Sequence, residues 1–250
     1  MTEAIRAERL VKIFGRVTAL SGVSMHVRRG EILGILGDNG AGKSTLLKIL
    51  TGYHAPDAGQ VFVEGRPVRL GSVDEARALG IECVYQDLAL VNGLSVYHNM
   101  FLNREMLHGP LRLLDHRKMR RRAAQALAEI GVAVPSVDIP VGALSGGQRQ
   151  AIAVARAVYS EARILLLDEP LAAMGAREAG LIIGIIERLK ARGDIAIVMI
   201  AHNYAQTLEI CDRVMLMQHG EVTFESAAAA TSAEELLDIV RREYRAARAG

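Results

Sequence analysis

Hydrophobic positions change period several times along the chain, and each change marks an element. Val23 to Val27 alternate apolar and polar, the two-residue period of a half-buried strand, and Arg29-Gly30 reads as the turn that follows. Gln60 to Val63 is a second short strand before a turn at Glu64-Gly65. Between them, Ile32-Leu33-Gly34-Ile35-Leu36 is almost unbroken apolar sequence, as expected of a strand buried on both faces. A glycine-rich loop follows, then a helical pattern from Ser44 to Leu50 that stops at Gly52. From about Val96 to Val134 the sequence turns helical, rich in Ala, Leu and Arg, until Pro135 and Pro140 break it. Arg163 to Leu167 and Ile195 to Ile200 are two more buried parallel strands by the same criterion. Arg213 to Met217, His219-Gly220 and Glu221 to Phe224 form a hairpin pattern. A last helix is expected from Ser232, with Glu235 three residues on completing a capping box.

These elements predict a mixed α/β core with an antiparallel β subdomain near the N-terminus. A helical insert is expected at about residues 87–160, and a short C-terminal helix at about 232–247, all within one domain of residues 1–250. Half the residues are hydrophobic, yet there are only six Tyr, four Phe and no Trp, so the core must be built from Leu, Ile, Val and Ala. A net charge of +2 with mixed signs gives no global footprint for nucleic acid. Cys83 and Cys211 show no metal or redox spacing and read as small core residues of a reducing compartment. No signal peptide is visible, and the longest apolar runs are about half of the roughly 20 residues that span a bilayer. If the protein works at a membrane, another chain does the spanning.

Three motifs carry chemistry. Gly37-Asp38-Asn39-Gly40-Ala41-Gly42-Lys43-Ser44, followed by Thr45, fits G-x-x-x-x-G-K-[ST] between a strand and a helix. Its glycines let the backbone wrap a polyphosphate, with N–H groups and the helix N-terminus facing the anion. Lys43 would reach the β- and γ-phosphates and Ser44 would ligate Mg²⁺. Ile164 to Leu167 runs apolar into Asp168-Glu169. Carboxylates at the end of a buried strand are costly unless they meet a cation or hydrogen-bond donors. Asp168 would hold the metal through water, and Glu169 could polarise the attacking water. Leu144-Ser145-Gly146-Gly147-Gln148 opens a helix running to Tyr159 and makes a second anion-facing nest. One triphosphate needs one nest, so the second points to a partner's ATP.

With these residues the chain resembles a nucleotide-binding subunit of the ATP-binding cassette (ABC) family, over nearly its whole length. Leu144 to Gln148 matches the family signature without a change. The resemblance implies that Gln86 touches Mg²⁺ and senses a transmembrane subunit, that His202 contacts the γ-phosphate, and that Phe14 stacks on adenine. It implies ATP and Mg²⁺ as cofactors. The implied partners are transmembrane permease subunits, a second copy in an ATP-dependent head-to-tail dimer, and indirectly a solute-binding protein, at the cytoplasmic face of the inner membrane. The surface around Gln86 and the segment Leu88 to Leu102 is expected to dock on the permease, because the apolar stretch Leu88-Ala89-Leu90-Val91 reads as an exposed patch. Where the family usually has an aspartate beyond the second carboxylate, this chain has Gly175. That departure, with the stretch Tyr85 to Glu105, is similar to monosaccharide importers of the ribose, xylose and fructose type.

Two other functions compete: a soluble ABC ATPase of DNA repair or translation, and a non-catalytic nucleotide-binding regulator. The first usually carries tandem cassettes or a long coiled coil, whereas only 57 residues lie between Gln86 and Leu144. Against the second, Lys43, Asp168, Glu169 and His202 are all present. The basic run Arg117 to Arg122 reads first as a solvated face, with a lipid-headgroup contact as the alternative.

Overall fold

The alternating N-terminal residues pair as β1 (Glu3–Phe14) and β2 (Val17–Arg28), joined antiparallel through a tight turn. With β4 (Ala58–Val63) and β5 (Arg66–Val68) they make a four-stranded sheet in the order β2-β1-β4-β5. The structure is a computed structural model that describes the backbone of residues 3–249 and the side chains of residues 3–242.

A second sheet has six strands. Its members are β3 (Ile32–Leu36), β6 (Ile81–Val84), β9 (Ile164–Asp168), β10 (Ala196–Ile200), β11 (Arg213–Gln218) and β12 (Glu221–Ala227), in the order β12-β11-β3-β10-β9-β6. All neighbours are parallel except the β11–β12 hairpin. The continuous apolar runs follow from burial of both faces. In β9, Leu165 and Leu167 enter one core, while Ile164 and Leu166 enter the other. In β10, Ile197 and Met199 face the first core, and Ala196, Val198 and Ile200 the second. Each such side chain contributes roughly 1.5–3 kcal/mol on burial, so the strands are held firmly enough to present polar groups at their ends.

The second core lies toward the four-stranded sheet and also takes in α1 (Lys43–Leu50) and α2 (Val73–Ala78). The first gathers α3 (Val96–Met100), α4 (His116–Glu129), α5 (Gly146–Tyr159) and α6 (Ala176–Arg192). It also takes residues from α7 (Tyr204–Ile210) and α8 (Ala233–Ala249). Phe101 and Tyr97 are its buried aromatics, so the core is aliphatic as the composition required. Glu235 N–H donates to Ser232 Oγ (3.1 Å), and α8 continues to Ala249. No helix among the described residues is long and apolar enough to cross a membrane.

Two expectations need correction. The helical stretch from 96 to 134 is not continuous: a small hairpin of β7 (Leu107–His108) and β8 (Leu113–Leu114) separates α3 from α4. Gly109 and Arg112 take left-handed φ at its turn, with Pro110 between them. Helix α4 also ends well before Pro135: its last residue is Glu129, Ile130 caps it, and Gly131 just beyond turns the chain away at φ +73°. The patch Leu88 to Val91 is not freely exposed either. Leu88 and Leu90 pack against the core and Leu94 is half-buried, so only Ala89 and Val91 of the stretch are exposed. The cause is Arg156, whose guanidinium pulls this loop onto α5.

Candidate active site

Strands β3, β10, β9 and β6 are consecutive and parallel, so their carboxyl ends share one edge of the sheet. That edge is where open α/β sheets bind ligands. The phosphate loop leaves β3 there, Asp168-Glu169 ends β9, His202 follows β10, and Gln86 lies two residues past β6.

In the loop, Gly37 has φ +145° and Gly42 φ +99°. A Cβ at Gly37 would lie 2.2 Å from Met217 O, and one at Gly42 2.5 Å from Ala19 O, so neither position admits a side chain. Helix α1 starts on Gly42 without a side-chain cap, leaving its first N–H groups for an anion. Lys43 curls over the loop and donates from Nζ to Gly37 O (2.6 Å) and Asp38 O (2.9 Å). Two of three ammonium donors are thus satisfied, and one is left for a phosphate. Burial lowers the Lys43 pKa, opposed by the charges of Glu169, Asp38 and Asp168. Ser44 is exposed and Thr45 half-buried on the first turn of α1.

Asp168 is half-buried, and burial first, then Glu169, raise its carboxyl above the ordinary value against Lys43, His202 and Lys48. Glu169 sits in the left-handed region at φ +50°, a strain on the order of 1–3 kcal/mol for a residue with a side chain. Its N–H donates to Ile200 O (3.0 Å), which fixes the turn, and its Oε1 meets His202 Nε2. Both side chains line one cavity of about 310 Å³ with Pro170, Met199 and Asn203. Gln86 is exposed, and Tyr85 just before it is tied by its hydroxyl to Thr51 Oγ1 (3.2 Å). Phe14, at the end of β1, is exposed with its ring edge-on to His54 at 5.2 Å.

The signature segment forms a reciprocal capping box. Gln148 N–H donates to Ser145 Oγ (3.3 Å), and Ser145 N–H donates to Gln148 Oε1 (3.1 Å). Gly147 N–H donates to Glu178 Oε1 (3.2 Å), on the first turn of α6. That N–H, then the Ser145 hydroxyl, hold the Glu178 carboxyl below the usual carboxylate range. The second nest therefore does face an anion, supplied here by its own chain. Among the described residues no hydrogen bond joins this segment to the phosphate loop; its bonds run within itself, to its chain neighbours Val141 and Arg149, to Glu178 and to Ala133 O. Gly175 is the N-cap of α6 with φ −71°, and a Cβ there would touch nothing, so neither backbone nor space demands glycine.

The family model for ABC transporters matches residues 20–172, more than half of the chain. The chain belongs to the ABC transporter family. The xylose/arabinose import ATP-binding protein of Sulfolobus acidocaldarius is 42% identical over 96% of this chain and 94% of its own. The fructose import ATP-binding protein of Rhizobium meliloti is 41% identical over 86% of this chain and 85% of its own. Among solved structures, an ATP-binding cassette of an ABC transporter in its ADP conformation matches with TM-score 0.82 and 27% identity, over 96% of both chains. The family and fold expected from the motifs are borne out.

Two residues of this cassette escaped the sequence reading. Glu178 is one. The other is Arg156 in the last turn of α5, which donates from Nη2 to Leu88 O and from Nη1 to Ala89 O, both at 3.0 Å. Ala89 takes φ +49° to present its carbonyl. The helix that begins at the signature thus ends by gripping the loop after Gln86.

Proposed function

We propose that the chain is the ATP-hydrolysing subunit of an importer for a monosaccharide, working peripherally with separate permease subunits at the cytoplasmic face of the membrane. The observation that carries the ATPase reading is the convergence of the phosphate loop, Asp168, Glu169 and His202 on one sheet edge. The sugar rests on the printed roles of the two relatives above, and Gly175 in place of an acidic residue agrees with it.

In this reading the loop N–H groups of Gly37 to Thr45 and the free donor of Lys43 hold the β- and γ-phosphates. Ser44, Asp168 and Gln86 supply oxygen donors suited to Mg²⁺, and the raised Asp168 carboxyl lacks the positive charge such an ion brings. When bound, the ion would neutralise phosphate charge. Glu169 orients and polarises the attacking water, held by its strained turn, while His202 positions Glu169 and meets the γ-phosphate. Phe14 offers a face to adenine. Ser145, Gly146, Gly147 and Gln148 close over the γ-phosphate of a second copy, and a solute-binding protein delivers the sugar to the permease.

Phosphate release by the purified chain tests the chemistry. A positioned general base contributes roughly 10²–10⁴-fold, so Glu169→Gln should lose turnover by at least about 10² and keep ATP affinity. Lys43→Ala should lose the affinity itself. Near-normal turnover in Glu169→Gln would refute the assignment. Uptake of labelled pentose and hexose by the reconstituted transporter, with an amino acid as control, tests the cargo.

A further inference from the structure

Between α3 and α4 the chain exposes leucines that nothing in the fold covers. Leu111, at the turn of the β7–β8 hairpin, is 79% exposed and Leu113 57%. Leu107, Leu114 and Leu102 are exposed beside them. A two-stranded hairpin with both strands in water has little of its own to hold it. Leu111 at its turn is the most exposed large hydrophobic among the described residues.

The flanking sequence is strongly cationic. From Arg104 to Arg122 there are seven Arg and Lys residues against Glu105 and Asp115. Arg104 is engaged by Glu82, and Arg120 by Asp138. Arg112, Arg117, Lys118, Arg121 and Arg122 are exposed and make no ion pair among the described residues; Arg122 meets only the amide of Gln125. Met119 and Ala123 anchor α4 in the core, so these cations are held outward next to the leucine tip.

We infer that this hairpin and the first turns of α4 form a contact for an anionic lipid surface, with Leu111 and Leu113 entering the headgroup boundary and the cations meeting lipid phosphates. Apolar tips with adjacent Lys and Arg are the combination that binds such surfaces. Cytoplasmic loops of membrane proteins carry an excess of Lys and Arg themselves, so a permease loop would repel this patch where anionic lipid attracts it. The inference needs a membrane at hand, as in the function proposed above, but its test uses no permease and no sugar. The two readings can therefore fail separately.

The test is co-sedimentation of the purified chain with vesicles, in saturating MgATP so that the phosphate loop is filled. Vesicles containing phosphatidylglycerol should retain the chain, and phosphatidylcholine vesicles should not. Raising the salt from low to about 1 M, where screening is nearly complete, should weaken the partition about tenfold or more. Leu111→Asp and the pair Arg117→Glu with Arg121→Glu should each reduce it by about tenfold, with unchanged ATPase activity and melting temperature. No retention by phosphatidylglycerol vesicles, or retention indifferent to Leu111→Asp, would overturn the proposal. If the same variants instead release a co-purified permease while vesicles are never bound, the patch is a protein-docking surface and the lipid assignment is wrong.

Discussion

At the end of β9 the Asp168 carboxyl is half-buried and next to Glu169, and the cations nearby only partly offset this. The charged form is thus disfavoured in the folded chain before any ion or nucleotide arrives. Its folded pKa is raised, so the stability linked to its protonation is present below the ordinary carboxylate value and lost as pH rises through the raised one. At neutral pH the ionised group is a liability, and Asp168→Asn should raise the melting temperature of the nucleotide-free chain. The gain should be a few degrees, at roughly 2–4 °C per kcal/mol for this size, and should fade in acid. The same variant should lose the further thermal shift that MgATP gives the wild type, about 2.7 kcal/mol at a ligand concentration of 100 times Kd. Melting curves across pH, with and without MgATP, check both arms. The position of Asp168 was legible from sequence because an apolar run leading into two carboxylates is a local pattern. Glu178 was not: its bond to Gly147 spans 31 residues, and nothing near Glu178 distinguishes it from a solvated helix carboxylate.

Helix α5 shows the same divide at the scale of an element. Its start was legible, since Ser145 and Gln148 lie three apart and cap each other. Its other end was not, because Arg156 acts on carbonyls 67 and 68 residues away, and a side chain to backbone bond leaves no mark on sequence pattern. The same blindness made Leu88 and Leu90 look like an exposed patch. The hairpin between α3 and α4 was missed for a different reason: a helical composition over 96–134 outweighed a short turn. Hydrogen bonds to a charged group are worth about 1.5–3 kcal/mol each, so the Arg156 grip should hold the loop closed. In Arg156→Ala, amide exchange at Leu88 to Leu90 should quicken by about tenfold or more, while β9 amides keep their protection. Hydrogen exchange read by mass spectrometry separates this from a general loss of stability, which would quicken both. Exchange unchanged at Leu88 to Leu90 would show that Arg156 does not position the loop.

At the scale of the whole molecule, two anion-binding nests belong to one chain, and one of them is engaged by Glu178. A partner's γ-phosphate would displace that carboxylate, so closure should require ATP and should not occur with ADP. In a Glu169→Gln background, ATP should shift the chain to a dimer by light scattering, and adding Ser145→Arg should abolish the shift. Dimerisation that survives Ser145→Arg, or a Glu169→Gln chain that stays monomeric in excess ATP, would remove the shared site. Open space at Gly175 fits an interface with one fewer charged contact between the two sites, and only modest cooperativity is expected from it.

The fourteen residues of α5 make a rod about 20 Å long at 1.5 Å per residue, with the signature at one tip and Arg156 at the other. A tilt of about 10° about the signature end carries Arg156, about 15 Å away, through about 2.6 Å, more than a hydrogen bond of about 2.7–3.2 Å can stretch without breaking. The bonds from Arg156 to Leu88 O and Ala89 O therefore cannot act as a spring that yields in proportion. Either the loop travels with the lever or the linkage snaps. Motion at the signature is then passed to the Gln86 side in full while the bonds hold, and not at all once they break.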